Sequence, residues 1–458
     1  MKSRIAVVVT LCLTLYLIST SCINKHPISP ASDFFYPQTP TPPTPAAYPP
    51  PTNLSHLLFG ILGSEKASHH RKAYTESWWR PGAARGALFL DKPPSRPWSP
   101  TLPPYRVSDD LSGLLHKRDL RAQRMVHGIM EVMREMGEEE LRWLVMGDDD
   151  TIFYVDNIVE VVSKLDHTSH FYLGGLSEFL MSSYVFSFNE AFGGAGIILS
   201  YPLAKALAAD MDACLKRYAY LFSSDNTTKN CVADVGANLS PQMGSHQIDL
   251  RGDISGLLSA HPLSPLLSLH HFDLVDPIFP SKDRFESTRH LMTAAAADQS
   301  RMLQQIICHQ RQSNWTVSVA WGYSAQIYEA IFPRSYLQMP LETFRPWYKH
   351  RGVLIPYYRL NTRPLSADPC EAPHSFFLEA VEKSAERGEV VTAYSRARPR
   401  PLPPCSSHSA DGIDRIRVYS PAASRYQMDR CECCDIVGLD NHTAEVRLRE
   451  CLVGEVIA

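Results

Sequence analysis

The run Arg142-Trp143-Leu144-Val145-Met146-Gly147-Asp148-Asp149-Asp150-Thr151-Ile152-Phe153 constrains this chain most, because an apolar stretch ends abruptly in three adjacent carboxylates. Leu144, Val145 and Met146 have the character of a buried strand. The acids then fall at its carboxyl end, the edge where open α/β sheets place their ligands. Three adjacent anions repel one another, and setting them at the end of a buried strand calls for a compensating cation. A hard divalent metal carrying a phosphorylated ligand meets that need. The alternative is a solvated acidic turn capping the helix that begins near Val155, since Asp is common at turns and helix starts.

The flanking pattern alternates strand and helix. Leu57 to Leu62 reads as a first strand, residues 66–79 as a helix ending before Pro81-Gly82, and 86–90 as a second strand followed by a proline-rich loop over 91–104. Residues 116–136 carry the apolar spacing of a long amphipathic helix, with Leu120, Met125, Ile129, Val132 and Met133, and lead straight into the acidic strand. This alternation predicts an α/β sheet of parallel strands in which the acids end a central strand. A helix over 155–165 and a strand over 171–175 follow.

Next, Gly193, Gly194 and Gly196 precede the apolar run Ile197-Ile198-Leu199. Glycines here let the backbone approach a ligand or another strand closely, and tight strand-to-helix packing explains them equally well. Beyond a helix over 203–217, Ser223-Ser224-Asp225-Asn226 precedes a short helix over 230–237, so Asp225 is either a general base or a helix cap. His246 either completes a metal site with a carboxylate or is an ordinary buried imidazole. His270 and His271 form a weaker candidate, with Asp273 as the acid beside them. A helix is expected over 324–333, and then an irregular, disulfide-stapled extension.

The formal net charge of -3 leaves no basic surplus to meet nucleic-acid phosphates. Lys2 and Arg4 precede an apolar run to Ile18, which reads as an uncleaved signal anchor over 1–23; a cleaved signal peptide competes with it. Residues 24–52 form a proline-rich stalk. The rest of the chain is then lumenal. Five Asn-X-Ser/Thr sites, beginning at Asn53, Asn226, Asn238, Asn314 and Asn441, are compatible with that reading. So are nine cysteines beyond the stalk, enough for several disulfides with one thiol left over. Cys431, Cys433 and Cys434 also read as half a zinc site, although no Cys-X-X-Cys pair partners them.

Several phrases taken together carry a family resemblance. Trp78-Trp79-Arg80-Pro81-Gly82, Asp148-Asp149-Asp150, Ala191-Phe192-Gly193-Gly194-Ala195-Gly196, Gly244-Ser245-His246-Gln247, Ser268-Leu269-His270-His271, the stretch 315–323 and Glu342-Thr343-Phe344-Arg345-Pro346-Trp347 resemble the plant Fringe-related proteins of glycosyltransferase family 31. The resemblance spans about 56–451. It implies an α/β fold of the GT-A type, a Rossmann-like nucleotide-sugar-binding domain over 53–345 with a disulfide-containing extension over 346–458. It further implies an inverting, Mn²⁺-dependent β-1,3-type transfer from a UDP-sugar to a glycan or glycoprotein acceptor, by a single-pass Golgi membrane protein with a lumenal catalytic domain. Asp150 would be the main metal-ligating carboxylate and His246 the histidine ligand. Asp149 would lie near the ribose or share the metal, Asp148 would support the loop, and Gly193, Gly194 and Gly196 would line the donor and acceptor cleft.

The family carries an acidic pair where this chain has Asp225 followed by Asn226, and an aromatic residue where it has Ser245. Asp225 is therefore the expected base. A catalytically degenerate carbohydrate-binding protein of the same fold is the alternative. A phosphohydrolase of the haloacid dehalogenase type, suggested by two carboxylates spaced two apart, is disfavoured by Ile152 and by the lack of a downstream acidic pair.

Overall fold

A computed structural model describes residues 50–457 except 116–119, 138–139, 350–354, 385, 398–399, 406–408, 427–430 and 441. The expected signal anchor and nearly all of the stalk lie outside the described residues. Among the described residues no helix is long and apolar enough to cross a membrane.

The chain runs β1 (Leu57–Leu62), α1 (Glu65–Trp78), β2 (Arg85–Leu90), β3 (Tyr105–Val107), α2 (Arg121–Met136), β4 (Trp143–Asp148), β5 (Ile152–Phe153), α3 (Val155–Ser163), β6 (Tyr172–Gly174), α4 (Leu180–Val185), β7 (Ile197–Ser200), α5 (Tyr201–Arg217), α6 (Ser224–Asp234) and β8 (Leu239–Pro241). Seven of these strands form one sheet in the order β3-β2-β1-β4-β7-β6-β8. Alternation of side chains explains why β1 and β4 are apolar throughout. Leu57, Phe59, Ile61, Trp143 and Val145 face one layer with Tyr74 and Trp78 of α1 and Ile158 and Val162 of α3. Leu58, Leu62, Leu144 and Met146 face the other, with Val126, Ile129 and Val132 of α2 and Leu203 and Leu207 of α5.

Strands β3, β2, β1 and β4 are parallel, as expected, and β4 is central. The expectation of a wholly parallel sheet needs correction at β7, which runs antiparallel to both β4 and β6. The segment between β6 and β7 carries a six-residue helix and a 3-10 turn over Gly193–Ala195 but no long helix of the kind that usually joins parallel neighbours.

The rest of the chain comprises β9 (Ser245–His246), β10 (Leu250–Gly252), α7 (Ser255–Leu258), β11 (Ser268–Leu269), α8 (Arg284–Ala297), β12 (Gln305–Gln310), β13 (Trp315–Ala320), β14 (Ser324–Tyr328), α9 (Arg334–Leu337), β15 (Phe344–Pro346), β16 (His374–Ser384), β17 (Glu389–Arg396), β18 (Arg415–Pro421), β19 (Cys433–Leu439) and β20 (Thr443–Arg449). The helix expected over 324–333 begins instead as β14. Gly322, at φ 76°, turns the chain so that β14 pairs with β13 on one side and β16 on the other.

The extension is not irregular either. Strands β12, β13, β14, β16, β17, β18, β20 and β19 form one eight-stranded sheet, so a division at 345/346 would pass through its middle. Its first and last strands are joined by Cys308–Cys434, which curls the sheet and shields both edges. Three further disulfides, Cys214–Cys231, Cys370–Cys405 and Cys433–Cys451, leave Cys431 as a free thiol. With Cys433 and Cys434 in disulfides, the half zinc site is not formed.

Candidate active site

The three acids leave β4 in a tight turn with separate surroundings. The Asp149 amide donates to Leu62 O at 3.0 Å, and the Thr151 amide donates to Asp148 O at 3.1 Å. The Thr151 hydroxyl accepts from the Asp148 amide at 2.8 Å and donates to Gly194 O at 2.7 Å, tying the acidic turn to the glycine run. Arg71 reaches in from α1. Its guanidinium lies 2.8 Å from Asp149 Oδ1, 3.2 Å from Asp150 Oδ2 and 2.8 Å from Asp273 Oδ2. Part of the compensating charge is therefore the protein's own, but one cation shared among several anions leaves the cluster electron-rich.

Each carboxyl responds to its surroundings differently. Burial would raise Asp150, but His270 and Arg71 outweigh it and hold the group below the usual carboxylate range. Asp149 is pushed up to about 6 by burial, against the pull of Arg71. Asp148 is raised well above its ordinary value by desolvation and by Asp150 and Asp149.

His270 completes the cluster from the end of β11. Its Nε2 lies 3.1 Å from Asp150 Oδ1 and 3.7 Å from Asp148 Oδ2. Its Nδ1 lies 3.3 Å from Gln247 Oε1, an oxygen that already accepts the Ala195 amide at 2.9 Å. That amide fixes which end of Gln247 faces the ring, so Nδ1–H donates to it and Nε2 faces the two carboxylates. A proton or a cation must lie between them. Behind His270, the ring of His271 stacks at 3.9 Å between centroids, and Trp347 stacks on His271 at 4.8 Å.

Asp225 approaches from the other side. It lies in the first turn of α6, whose N-cap is Ser223, so the helix starts earlier than expected and Asp225 is within it rather than before it. Its Oδ1 accepts the Gly193 amide at 2.8 Å, and burial raises the carboxyl to about 6. A small cavity joins Asp225 to Asp148, walled by Met125, Ile129, Gly193 and Thr228. Asn226 turns away, its Nδ2 donating to Glu190 Oε2 at 2.8 Å. Glu190 is fully buried, and burial raises it to about 7. A second carboxyl thus stands beside Asp225 after all, carried by the glycine-run segment instead of by position 226.

A family model for DUF604, described as a protein of unknown function, matches residues 182–434, more than half of the chain. The chain belongs to the DUF604 family. A second model, Fringe-like, matches residues 111–245, the segment that carries the acids, the glycine run and Asp225. Over that segment the chain is similar to Fringe-like proteins. No curated protein matched the sequence. Among solved structures, a glycosyltransferase involved in the glycosylation of the major capsid of PBCV-1 is similar at a TM-score of 0.28 and 11% identity, covering 52% of this chain and 98% of that one.

In this DUF604 protein Asp148, expected to support the loop, groups with Asp150 and His270 and shares a cavity with Asp225, while Asp149 turns toward Arg71. Gly193 bonds Asp225, and Gly194 faces His270, where a Cβ would fall 2.1 Å from the ring. Gly196 does not line the cleft. Its φ of 86° and its packing against Phe153 give it a structural role. His246 is the main correction: its Nδ1 lies 2.8 Å from Glu178 Oε1, within a separate cluster. On the paired strands His246 lies opposite Leu269, so His270, one residue on, projects to the other side.

Proposed function

We propose that this protein is an inverting glycosyltransferase that moves a sugar from a UDP-sugar to a hydroxyl of a glycan or glycoconjugate by β-1,3-type transfer, on the lumenal side of the Golgi membrane. The observation that carries the reading is the convergence of Asp148, Asp150 and His270 across one small cavity from Asp225. The donor set suits the implied Mn²⁺. Two carboxylate oxygens and an imidazole nitrogen lie within 4.8 Å of one another, and His270 Nε2 faces the carboxylates. Asp148, Asp150 and His270 would hold the ion, with His270 taking the part expected of His246. When bound, Mn²⁺ supplies charge neutralisation for the diphosphate of the departing UDP.

The chain's own groups do the rest. His270 and Arg71 keep Asp150 anionic in spite of burial, so a ligand carboxylate is ready at neutral pH. Gly193 N–H holds Asp225 Oδ1, which leaves the second oxygen to take the acceptor hydroxyl's proton. With its pKa at about 6, Asp225 is ionised at neutral pH and basic enough to assist. Asn226, engaged with Glu190, holds the side of the helix that bears no base.

Calorimetric titration of the full chain with UDP, with and without Mn²⁺, tests the reading. UDP binding should require Mn²⁺ and disappear in Asp150→Ala, while Asp225→Asn should bind UDP and lose transfer. Undiminished UDP-sugar hydrolysis in Asp150→Ala would refute it.

A further inference from the structure

The cluster that captured His246 is not used by the chemistry above. Glu178, just before α4, is wholly buried, as is His246 on β9; His261 follows α7 and keeps 14% of its side chain exposed. Glu178 Oε1 lies 2.8 Å from His246 Nδ1 and 3.6 Å from His261 Nε2, and the two imidazole rings stand edge to face with centroids 5.2 Å apart. The 3.6 Å separation is too long for a hydrogen bond. Nε2 of each ring is buried without a hydrogen-bond partner. Buried polar atoms are rarely left so, and a carboxylate and two imidazoles converging from three segments call for something between them.

We infer that Glu178, His246 and His261 form a second divalent-metal site of the zinc class, independent of the acids that end β4. One nitrogen of each ring and one carboxylate oxygen lie within 4.8 Å of one another. Ligands held at about 2 Å from a tetrahedral zinc are roughly 3–3.5 Å apart, so the observed spacing needs only small adjustment. Two imidazoles and one carboxylate favour zinc over magnesium or calcium. Orientation is already provided. Glu178 Oε2 accepts the Ile248 amide at 2.7 Å, the kind of outer contact that fixes a metal-binding carboxylate. An occupied site would pin the segment before α4 and the one after α7 to β9. It would thereby steady β11, whose neighbour in the sheet is β9 and whose end carries His270.

The test is metal analysis of the full chain, equilibrated with Zn²⁺ and freed of excess by gel filtration, in an Asp150→Ala background that removes the first cluster. About one equivalent of zinc should remain, and His261→Ala or Glu178→Gln should lower zinc affinity by about 10-fold or more. Co²⁺ in place of Zn²⁺ should give the visible absorption of a four-coordinate site that vanishes with the same substitutions. His261 is partly exposed, so His261→Ala decides the matter even where Glu178→Gln fails to fold. Asp150→Ala protein that retains no zinc, or retains as much after His261→Ala, would overturn the inference and leave the function proposed above untouched.

Discussion

Glu190→Gln should make the protein more stable above neutral pH. Glu190 is fully buried, one of its oxygens has no hydrogen-bond partner, and the other accepts from Asn226. Burial moves its carboxyl from 4.5 to about 7. A group whose pKa is higher in the folded state binds its proton more tightly there. The stability it contributes is fully present below about pH 4.5 and is lost as pH rises through 7. Each unit of separation corresponds to ~1.4 kcal/mol, so ionising Glu190 costs the fold about 3 kcal/mol at pH 8. Gln keeps the shape and the oxygen that Asn226 needs, and it cannot ionise. For a folded region of this size, thermal midpoints at pH 8 should rise by about 3 °C, and the difference should close by pH 5. The assay is a set of metal-free melts of both proteins from pH 5 to pH 8. Equal midpoints at pH 8, or a gap that does not narrow on acidification, would refute the assignment of Glu190 as a strained buried acid.

Three further outcomes follow from the site. Gly194→Ala should cost about 1–3 kcal/mol of stability and weaken Mn²⁺-dependent UDP binding by at least ~10-fold, because the new methyl drives the His270 ring off Asp150; unchanged calorimetry would argue against His270 as a ligand. Arg71→Met should destabilise the metal-free protein by about 3 kcal/mol, since the buried Asp149 and Asp150 lose their shared partner, and added Mn²⁺ should recover part of the loss in denaturant titrations. The transfer rate should rise with unit slope up to about pH 6 and level off as Asp225 ionises. In Asp225→Asn the rate should fall by about 10²–10⁴-fold and lose that acid limb; a persisting limb would assign it to another group.

The central layers were legible because their residues obey a single period. Strands buried on both faces read as unbroken apolar runs, and α2 and α3 repeat their apolar residues at helical spacing, so β1, β4 and the acids between layers could be located from the chain alone. Arg71 carried a usable signal that went unread. It shares a helix face with Tyr74, Thr75 and Trp78, and a cation on the inward face of a helix is an anomaly that invites an acidic partner. β14 gave a misleading signal. Ala325, Tyr328 and Ile331 recur at helical spacing, yet hydrogen bonding to β13 and to the distant β16 decides the matter, and no local pattern encodes a pairing partner some fifty residues away.

The choice between histidines shows why site residues are harder to read than elements. His246 and His270 each lie three residues before an Asp, and their segments become adjacent parallel strands, so the two backbones end side by side. What separates them is one residue of register. His246 pairs with Leu269 and faces Glu178, whereas His270 projects to the other side and meets Asp150. The same lesson applies at position 226. An acid there would point at the buried Glu190 2.8 Å away, and two carboxylates that close cannot both ionise. The amide at 226 therefore reads as the partner of an acid supplied from elsewhere. The apparent defect at 226 is a change in which segment carries the second carboxyl, and Asp225, bonded to Gly193 and open to the cavity, is free to serve as the base of the proposed transfer.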